Sequence, residues 1–330
     1  MIPGVRSQPS PTEPAAARIR KRLTAPAAWL LVGALPWTWF LVRDAGIGAV
    51  GEVISIVLPV LTVVIAAGAG VITYRRRRST ALVLAVSTLA AGVVATVGPW
   101  LPADAGTIAG RGISVIAANI DGRDTAALDT LRALDADVLV VPEVSLDLSR
   151  ELAATYAHHY VRIHDNDDPD IAVFSRYPMK VLQPVGPDMP GARLEVAGPD
   201  GRFVLYGLHV PRPWFAGESD SRYQATIAEH RRLEKLLNQQ VRTETLPVVL
   251  AGDLNSTDRE RDYREWLRAG LVDAMRDTAA GPTSTGKWLP LLGRIDHILI
   301  NDRWCGDTAR RVALPRSSHL AVAVTAGPCA

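Results

Sequence analysis

The chain has 330 residues, 48% hydrophobic and 21% charged, with 36 Lys and Arg against 34 Asp and Glu. The overall +2 hides a division: residues 1–103 carry 10 basic and 3 acidic side chains, leaving 26 and 31 for residues 104–330. A C-terminal portion at about −5 argues against a domain that grips nucleic-acid backbones through a broad basic surface.

Residues 1–17, rich in Pro, Ser and Ala, read as disordered, and with the basic run Arg18-Ile19-Arg20-Lys21-Arg22 they form a tail over 1–26. Three apolar stretches follow, at about 27–42, 53–73 and 80–101. The second and third carry about 20 residues each, enough to cross a hydrocarbon core of roughly 30 Å; the first is shorter and holds Pro36. Trp29, Trp37 and Trp39 suit an interfacial belt, and Gly68, Gly70, Ala91 and Gly92 would let helices approach closely. A signal peptide followed by buried soluble helices is the competing reading. Two long apolar stretches after the first favour three transmembrane helices and a lipid bilayer as partner.

Positive charge sets the orientation. The basic run precedes the first span and Arg75-Arg76-Arg77-Arg78 fills the loop between the second and third. Both belong on the cytoplasmic side, which makes the chain a multi-pass cell-membrane protein with everything after residue 101 extracytoplasmic. Cys305 and Cys329 suit either one disulfide in an oxidising compartment or two free thiols.

After a linker at 102–110, residues 111–326 are long enough for one sizeable core. Ile113–Ala118 reads as a buried strand ending at Asn119, Thr125–Leu134 as a helix, and Val138–Val141 as a strand ending at Pro142-Glu143. Residues 171–175 and 202–208 are further strands, the latter delivering His209. Residues 219–240 have helical spacing, with Ser219 or Asp220 as cap. Val248–Ala251 is a strand that ends in Gly252-Asp253-Leu254-Asn255. A helix at 259–268, a strand at 295–300 and a last strand after His319 complete the series. No internal repeat is visible. The alternation fits an α/β or α+β layered domain.

Asn119, Glu143, His209, Asp253, Asn255, Asp296 and His319 each end or interrupt an apolar run, where a layered fold can gather a site. Asp253 and Asn255 fall on the same side of their strand, although Asp and Asn also make ordinary turns. Asn119 and Glu143 offer hard oxygen ligands suited to Mg²⁺ or Mn²⁺. His209 and His319 can donate to a phosphate, and Asp296 can hold one of them cationic. Asp253, with Asn255, would prepare an attacking water. Arg212 and Trp214 lie where substrate charge or a ring could be read. The acidic run 165–170 could bind Ca²⁺ but reads as a solvated loop. His297 should face away from the site, and His158, His159, His164 and His230 lack partners by spacing and fall to solvent.

The chain resembles the endonuclease/exonuclease/phosphatase superfamily over residues 111–326. The resemblance rests on Ala117-Ala118-Asn119, Val140-Val141-Pro142-Glu143, Ile171–Pro178, Tyr206-Gly207-Leu208-His209, Gly252-Asp253-Leu254-Asn255, Arg294–Leu299 and Ser318-His319-Leu320. It implies a two-sheet β-sandwich flanked by helices in four layers, and a phosphohydrolase dependent on Mg²⁺, with Mn²⁺ or Ca²⁺ as alternatives. The metal ligands would be Asn119 and Glu143, and the catalytic residues His209, Asp253, Asn255, Asp296 and His319. Ser318 departs from the pattern, since the family usually has Asp before the terminal His. Its substrate would be a lipid-headgroup or envelope phosphoester; the alternatives are nucleic acid, cleaved by a surface nuclease, and a tethered binding module without turnover. No protein partner is evident.

Overall fold

A computed structural model describes residues 37, 49–76, 79–98, 101–102, 106–122, 125–163, 171–212, 227–276, 285–287 and 293–330. The basic run 18–22, the first apolar stretch apart from Trp37, the acidic run, His164, Trp214 and the cap positions 219–220 lie outside them. The chain divides into two compact units; the described residues of 60–94 belong to one, and those of 46–59 and 95–330 to the other.

Two apolar helices precede the C-terminal domain: α1 (Ala49–Arg76) and α2 (Ser79–Val97). Within α1, Ile54–Arg75 is long and apolar enough to cross a membrane, with mean hydropathy 2.4. Val63 and Val64 are 62% and 61% exposed, so the apolar surface of this helix is not spent on a protein core. The apolar part of α2, Ser79–Val94, is shorter. One helix of spanning length therefore stands among the described residues, where three spans were expected. The close approach expected at Gly92 is present: a Cβ there would lie 2.1 Å from the Thr62 side chain. Gly68 and Gly70 instead face open space. Trp37 donates from its indole to Ser87 Oγ at 3.1 Å.

The C-terminal domain is a sandwich of two six-stranded sheets. The first holds β1 (Ile113–Ala117), β2 (Val138–Pro142), β3 (His158–Arg162), β4 (Ile171–Ser175), β11 (Trp304–Ala313) and β12 (Leu320–Pro328), in the order β11-β12-β1-β2-β4-β3. The second holds β5 (Met179–Gln183), β6 (Gly191–Gly198), β7 (Gly201–His209), β8 (Val248–Asp253), β9 (Leu271–Asp273) and β10 (Asp296–Asn301), in the order β5-β6-β7-β8-β10-β9. Among the described residues four α-helices accompany the sheets: α3 (Leu128–Ala133), α4 (Leu146–Ala153), α5 (Ile227–Arg242) and α6 (Arg261–Arg268).

Side-chain alternation explains the layering. Val115, Val140, Leu205, Val249, Ala251 and Ile298 face inward to one core between the sheets. Their neighbours Ile116, Leu139 and Val141 face outward, under Leu131 of α3 and Leu148 of α4. On the far side Tyr206, Leu250 and Leu299 pack against Leu237 of α5 and Trp266 of α6. Strands buried on both faces read as continuous apolar runs, which is why β2 and β8 were visible in the sequence.

The two sheets share a plan that the sequence hid. Each has one parallel pair, β1 with β2 and β7 with β8, bridged by a segment containing a helix. In each, antiparallel strands flank that pair: β12 and β4 in the first sheet, β6 and β10 in the second. No repeat was expected, yet the topology repeats.

Cys305 and Cys329 form a disulfide, which resolves the choice between one bridge and two thiols. It joins β11 to the residue just past β12, where Cys329 also bridges Ile108 of the linker and Ala330 N donates to Thr107 O. Closing a loop with a sequence separation of 24 stabilises by about 2–4 kcal/mol, chiefly by restricting the unfolded chain. Reduction with dithiothreitol is therefore expected to lower the Tm, and an unchanged Tm would contradict that contribution.

Candidate active site

Inward parity carries past the strand ends. Ile113, Val115 and Ala117 line the core, so Asn119 continues their side; Val249 and Ala251 do the same for Asp253, and Ile298 and Ile300 for Asp296. His209 is the register partner of Asp253 across the parallel pair, and Asp296 is its partner across the antiparallel one. Asn119, Glu143, His209 and Asp253 thus gather at the carboxyl ends of the two parallel pairs, the open edge at which layered α/β folds place ligands.

Asn119 ties the two sheets together. Fully buried, it donates from Nδ2 to Glu143 Oε1 at 3.0 Å and to Asp253 Oδ2 at 2.9 Å. Its Oδ1, expected to face a metal, accepts from Asp121 N at 2.8 Å. Asn119 therefore aligns two carboxylates here. His209 Nε2 stands 3.5 Å from Glu143 Oε1. Asp253 Oδ1 accepts from Asn255 N at 2.8 Å, an Asx turn, so the turn and site readings of this segment hold together. The Asn255 amide donates to Val210 O at 2.8 Å, which commits Nδ2 to the scaffold and leaves Oδ1 for a water.

The second part of the site is His319, whose Nδ1 lies 2.9 Å from Asp296 Oδ2. Asp296 N and Ile295 N both donate to Thr285 Oγ1 at 3.1 Å. Ser317 Oγ accepts from His319 N at 2.9 Å and donates to Asn119 O at 2.8 Å. Ser317 and Thr285 were not singled out in the sequence, where a hydroxyl carries no signal of which backbone group it holds. Ser318 is half-buried, and its carbonyl accepts from Lys287 N at 2.8 Å.

Three non-glycine residues around the site adopt the left-handed region: Asp121 at φ 61°, Glu143 at 51° and Asn255 at 48°. Asp and Asn tolerate this; Glu143 bears a cost of about 1 kcal/mol, retained where the fold fixes its direction.

The electrostatics separate the roles. Burial, then the nearby Asp296, raise Asp253 to about 6. Burial also raises Glu143, opposed by its bond from Asn119. Burial lowers His209 to about 4, so it is a neutral imidazole at pH 7. Burial works against charge on His319 as well, yet the Asp296 carboxylate outweighs it and raises the ring to about 10. One histidine is thus neutral and the other a cation.

The donor set fits a hard divalent cation. A carboxylate oxygen of Glu143, one of Asp253 and a ring nitrogen of His209 lie within 4.8 Å of one another. Burial disfavours charge on both carboxylates, and a bound cation would restore it. Asp253, Asp296 and His319 meet the same distance, but His319 already pairs with Asp296.

The remaining expected positions fall as follows. Arg212 is exposed and acts electrostatically on Glu143 and His209. Trp214 lies outside the described residues. His297 faces away from the site, with Nε2 2.8 Å from Ser256 O and its ring 5.1 Å from that of Tyr263. His158 and His159 lie on the edge strand β3, half-buried and exposed. His230 corrects the expectation of a solvated side chain: it is 1% exposed, with Nδ1 2.9 Å from Pro211 O and Nε2 3.2 Å from Asp262 Oδ2. Sequence spacing missed it because both partners are distant in the chain.

Residues 116–319, more than half of the chain, match the Endonuclease/Exonuclease/phosphatase family. Among curated proteins none matches the chain. Among solved structures, an endonuclease/exonuclease/phosphatase from Beutenbergia cavernae DSM 12333 is 19% identical with TM-score 0.51, covering 66% of this chain and 72% of its own. TDP2 from D. rerio, complexed with a single-strand DNA product, is 16% identical with TM-score 0.50, covering 65% and 98%. A mannosyl-6-phosphatase from Bacteroides thetaiotaomicron VPI-5482 is 15% identical with TM-score 0.48, covering 65% and 99%. At these identities the likeness to the first two is one of fold.

Proposed function

The chain belongs to the endonuclease/exonuclease/phosphatase family and is a phosphoester hydrolase, and from that premise we propose a membrane-anchored phosphodiesterase or phosphatase whose extracytoplasmic domain acts on lipid or envelope phosphoesters. The observation that carries the chemistry is the meeting of Glu143 and Asp253, joined through Asn119, with the Asp296–His319 pair at one edge of the sandwich. The address is supported by the exposed apolar surface of α1, the arginines beside its end and the disulfide, which persists in oxidising compartments. The acidic balance of residues 104–330 favours lipid or envelope phosphoesters over nucleic acid.

Glu143, with Asp253 beside it, would hold a divalent ion, Mg²⁺ in the first instance. When bound, that ion supplies Lewis-acid polarisation of a nonbridging phosphate oxygen. Asp253 takes a proton from the attacking water, a task suited to a carboxylate whose pKa lies near 6. Asn255 Oδ1 orients that water. His319, protonated and fixed through Nδ1, offers its other ring nitrogen to the charge that grows on the phosphate. Neutral His209 donates one hydrogen bond beside it without adding charge, and Arg212 draws the anionic substrate toward the edge.

Two ionisations then bound the rate. As pH falls below about 6, and further below it once the cation is bound, Asp253 takes up the proton it must accept, and activity declines. As pH rises through about 10, His319 loses its charge, and activity declines again. Asp296→Asn removes the carboxylate that holds the His319 proton, so the alkaline limb is expected to move toward neutrality while the acid limb persists. The raised His319 pKa also stabilises the fold below its ordinary 6.5, a contribution lost as pH climbs through about 10. A pH profile of kcat/KM for both proteins checks this; an unmoved alkaline limb would remove His319 from the charge-stabilising role.

Ser318→Asp adds a carboxylate beside His319 and is expected to lower the metal concentration for half-maximal activity by roughly tenfold. Unchanged metal dependence would show that this position has no part in holding the cation. The proposed activity is tested with the full chain in detergent. A lipid phosphodiester, a sugar phosphate, plasmid DNA and RNA are each offered with Mg²⁺, Mn²⁺ or Ca²⁺. Metal-dependent hydrolysis of the lipid or sugar ester, abolished by EDTA, is expected. Cleavage of nucleic acid alone would establish a surface nuclease, and saturable binding without any turnover would establish a tethered binding module. Protease accessibility of the domain on intact cells tests its side of the membrane.

A further inference from the structure

A proline inside a helix deletes one backbone bond that can be named. Pro59 lies within α1 and has no N–H, so the bond from residue 59 back to the Ser55 carbonyl cannot form. A carbonyl freed in this way on an apolar helix needs a donor from elsewhere. The C-terminal domain supplies one: Arg259 Nε donates to Ser55 O at 3.3 Å. Both residues are enclosed, Ser55 at 3% and Arg259 at 5% exposed. Residues 54–59 are buried or half-buried and group with the domain, whereas Val60, Val63 and Val64 beyond them are exposed. The domain therefore meets α1 at the turn that Pro59 opens. A second arginine acts in the same way just past α2, where Arg276 donates from Nε to Leu101 O at 3.2 Å and from Nη2 to Gly98 O at 3.1 Å.

Arg259 stands four residues after Asn255, on the stretch that joins β8 to α6. Ser256, Thr257, Asp258, Arg259 and Glu260 are all at most 5% exposed, which polar residues in a connection rarely are. Two ties hold the stretch from outside. His297 of β10 donates from Nε2 to Ser256 O at 2.8 Å, and Arg259 reaches α1. The guanidinium also donates from Nη1 to Asp258 Oδ1 at 2.9 Å, so one nitrogen grips the loop and another the helix. Movement of this stretch would carry Asn255, whose backbone amide donates to Asp253 Oδ1 at 2.8 Å. A misplacement of about 1 Å at reacting groups is enough to slow a reaction severely. The topology proposed above puts the first turns of α1 on the domain's own side of the membrane, as the contact requires.

We propose that Arg259 is a positioning residue: by donating to the carbonyl that Pro59 frees in α1, it fixes the loop that carries Asp253 and Asn255. The apolar helix thereby sets the rate of hydrolysis. The proposal rests on the reading of Asp253 and Asn255 as the water-preparing groups. It is tested on the full chain in detergent with Mg²⁺ and bis(p-nitrophenyl) phosphate, a soluble diester that needs no bilayer. Pro59→Ala restores an N–H to α1, so Ser55 O regains a helical donor and Arg259 loses its acceptor, while the domain's own residues stay intact. Pro59→Ala and Arg259→Ala are each expected to lower kcat about tenfold with KM unchanged, since neither residue touches substrate. The double variant should be no slower than Arg259→Ala, because both changes break one contact. Hydrogen–deuterium exchange at residues 254–260 should quicken about tenfold in each variant, a readout that needs no turnover. A full chain inactive on this ester would fault the reading of the site, and exchange alone would then decide the docking. Wild-type kcat or wild-type exchange in Pro59→Ala, or losses that add in the double variant, would overturn the proposal.

Discussion

Asp253→Asn is expected to reduce kcat by roughly 10²–10⁴-fold, the range that one positioned general base contributes. The substitution keeps shape and keeps an oxygen for the Asn255 backbone amide, which now lies 2.8 Å from Asp253 Oδ1. The proton acceptor, its charge and the oxygen that accepts from Asn119 Nδ2 at 2.9 Å are lost. Stability should move the other way. The folded-state pKa of Asp253 is raised from 3.8 to about 6, so the native protein holds this proton more tightly than the unfolded chain does. Stability therefore falls as pH rises through that window, and at pH 7 the buried charge is a burden on the order of 3 kcal/mol. A neutral amide lifts it. A variant with lost turnover and an equal or higher Tm would be the signature of a residue kept for chemistry. Wild-type turnover in a folded Asp253→Asn protein would remove Asp253 from the mechanism.

Gly252→Ala is expected to damage both fold and activity, through geometry alone. Gly252 has φ 145°, and a Cβ there would stand 1.9 Å from Leu208 O. That oxygen is backbone, on the strand that pairs in parallel with β8, and Leu208 and Gly252 are register partners. No rotamer can relieve the clash; β7 and β8 must part where His209 and Asp253 face each other. A loss on the order of 3–5 kcal/mol in urea denaturation is expected, with turnover falling even where the protein remains folded. Gly186→Ala serves as control, since nothing lies within 4 Å of a Cβ there. If the two alanine variants unfold at the same urea concentration, the close approach at Gly252 is not what fixes the strand ends.

Buried strands and their polar ends were legible because burial on both faces leaves uninterrupted apolar runs, and a polar residue closing such a run stands out. Strands β1, β2, β4, β7, β8 and β10 declared themselves this way, and every expected catalytic residue and metal ligand is described and lies close to the end of a strand. The edges did not. Strand β11 reads Trp-Cys-Gly-Asp-Thr-Ala-Arg-Arg-Val-Ala, with most of its later residues exposed, and β3 carries two histidines and an arginine. Edge strands owe their form to the neighbour they pair with, and pairing leaves no periodic trace in a polar sequence. Helix α4 was missed for a different reason. It has eight residues, too few for periodicity, and its one local mark is Ser145, whose Oγ accepts from Leu148 N at 3.2 Å. Within the site, what spacing could not foretell is the direction of amides and hydroxyls: that Asn119 would offer nitrogen to two carboxylates, or that Ser317 would hold both Asn119 and His319.

The pairing of β1 with β12 sets an order of events in time. Ile113 lies opposite Ala326 and Ala117 opposite Val322, so β1 waits for a strand distant in sequence and synthesised much later. His319 directly precedes β12 and reaches Asp296 only from there. While the chain is still being synthesised, the apolar helices are long finished but the first sheet lacks a member and Asp296 has no histidine. The domain cannot act before β12 has joined the first sheet and brought His319 to Asp296.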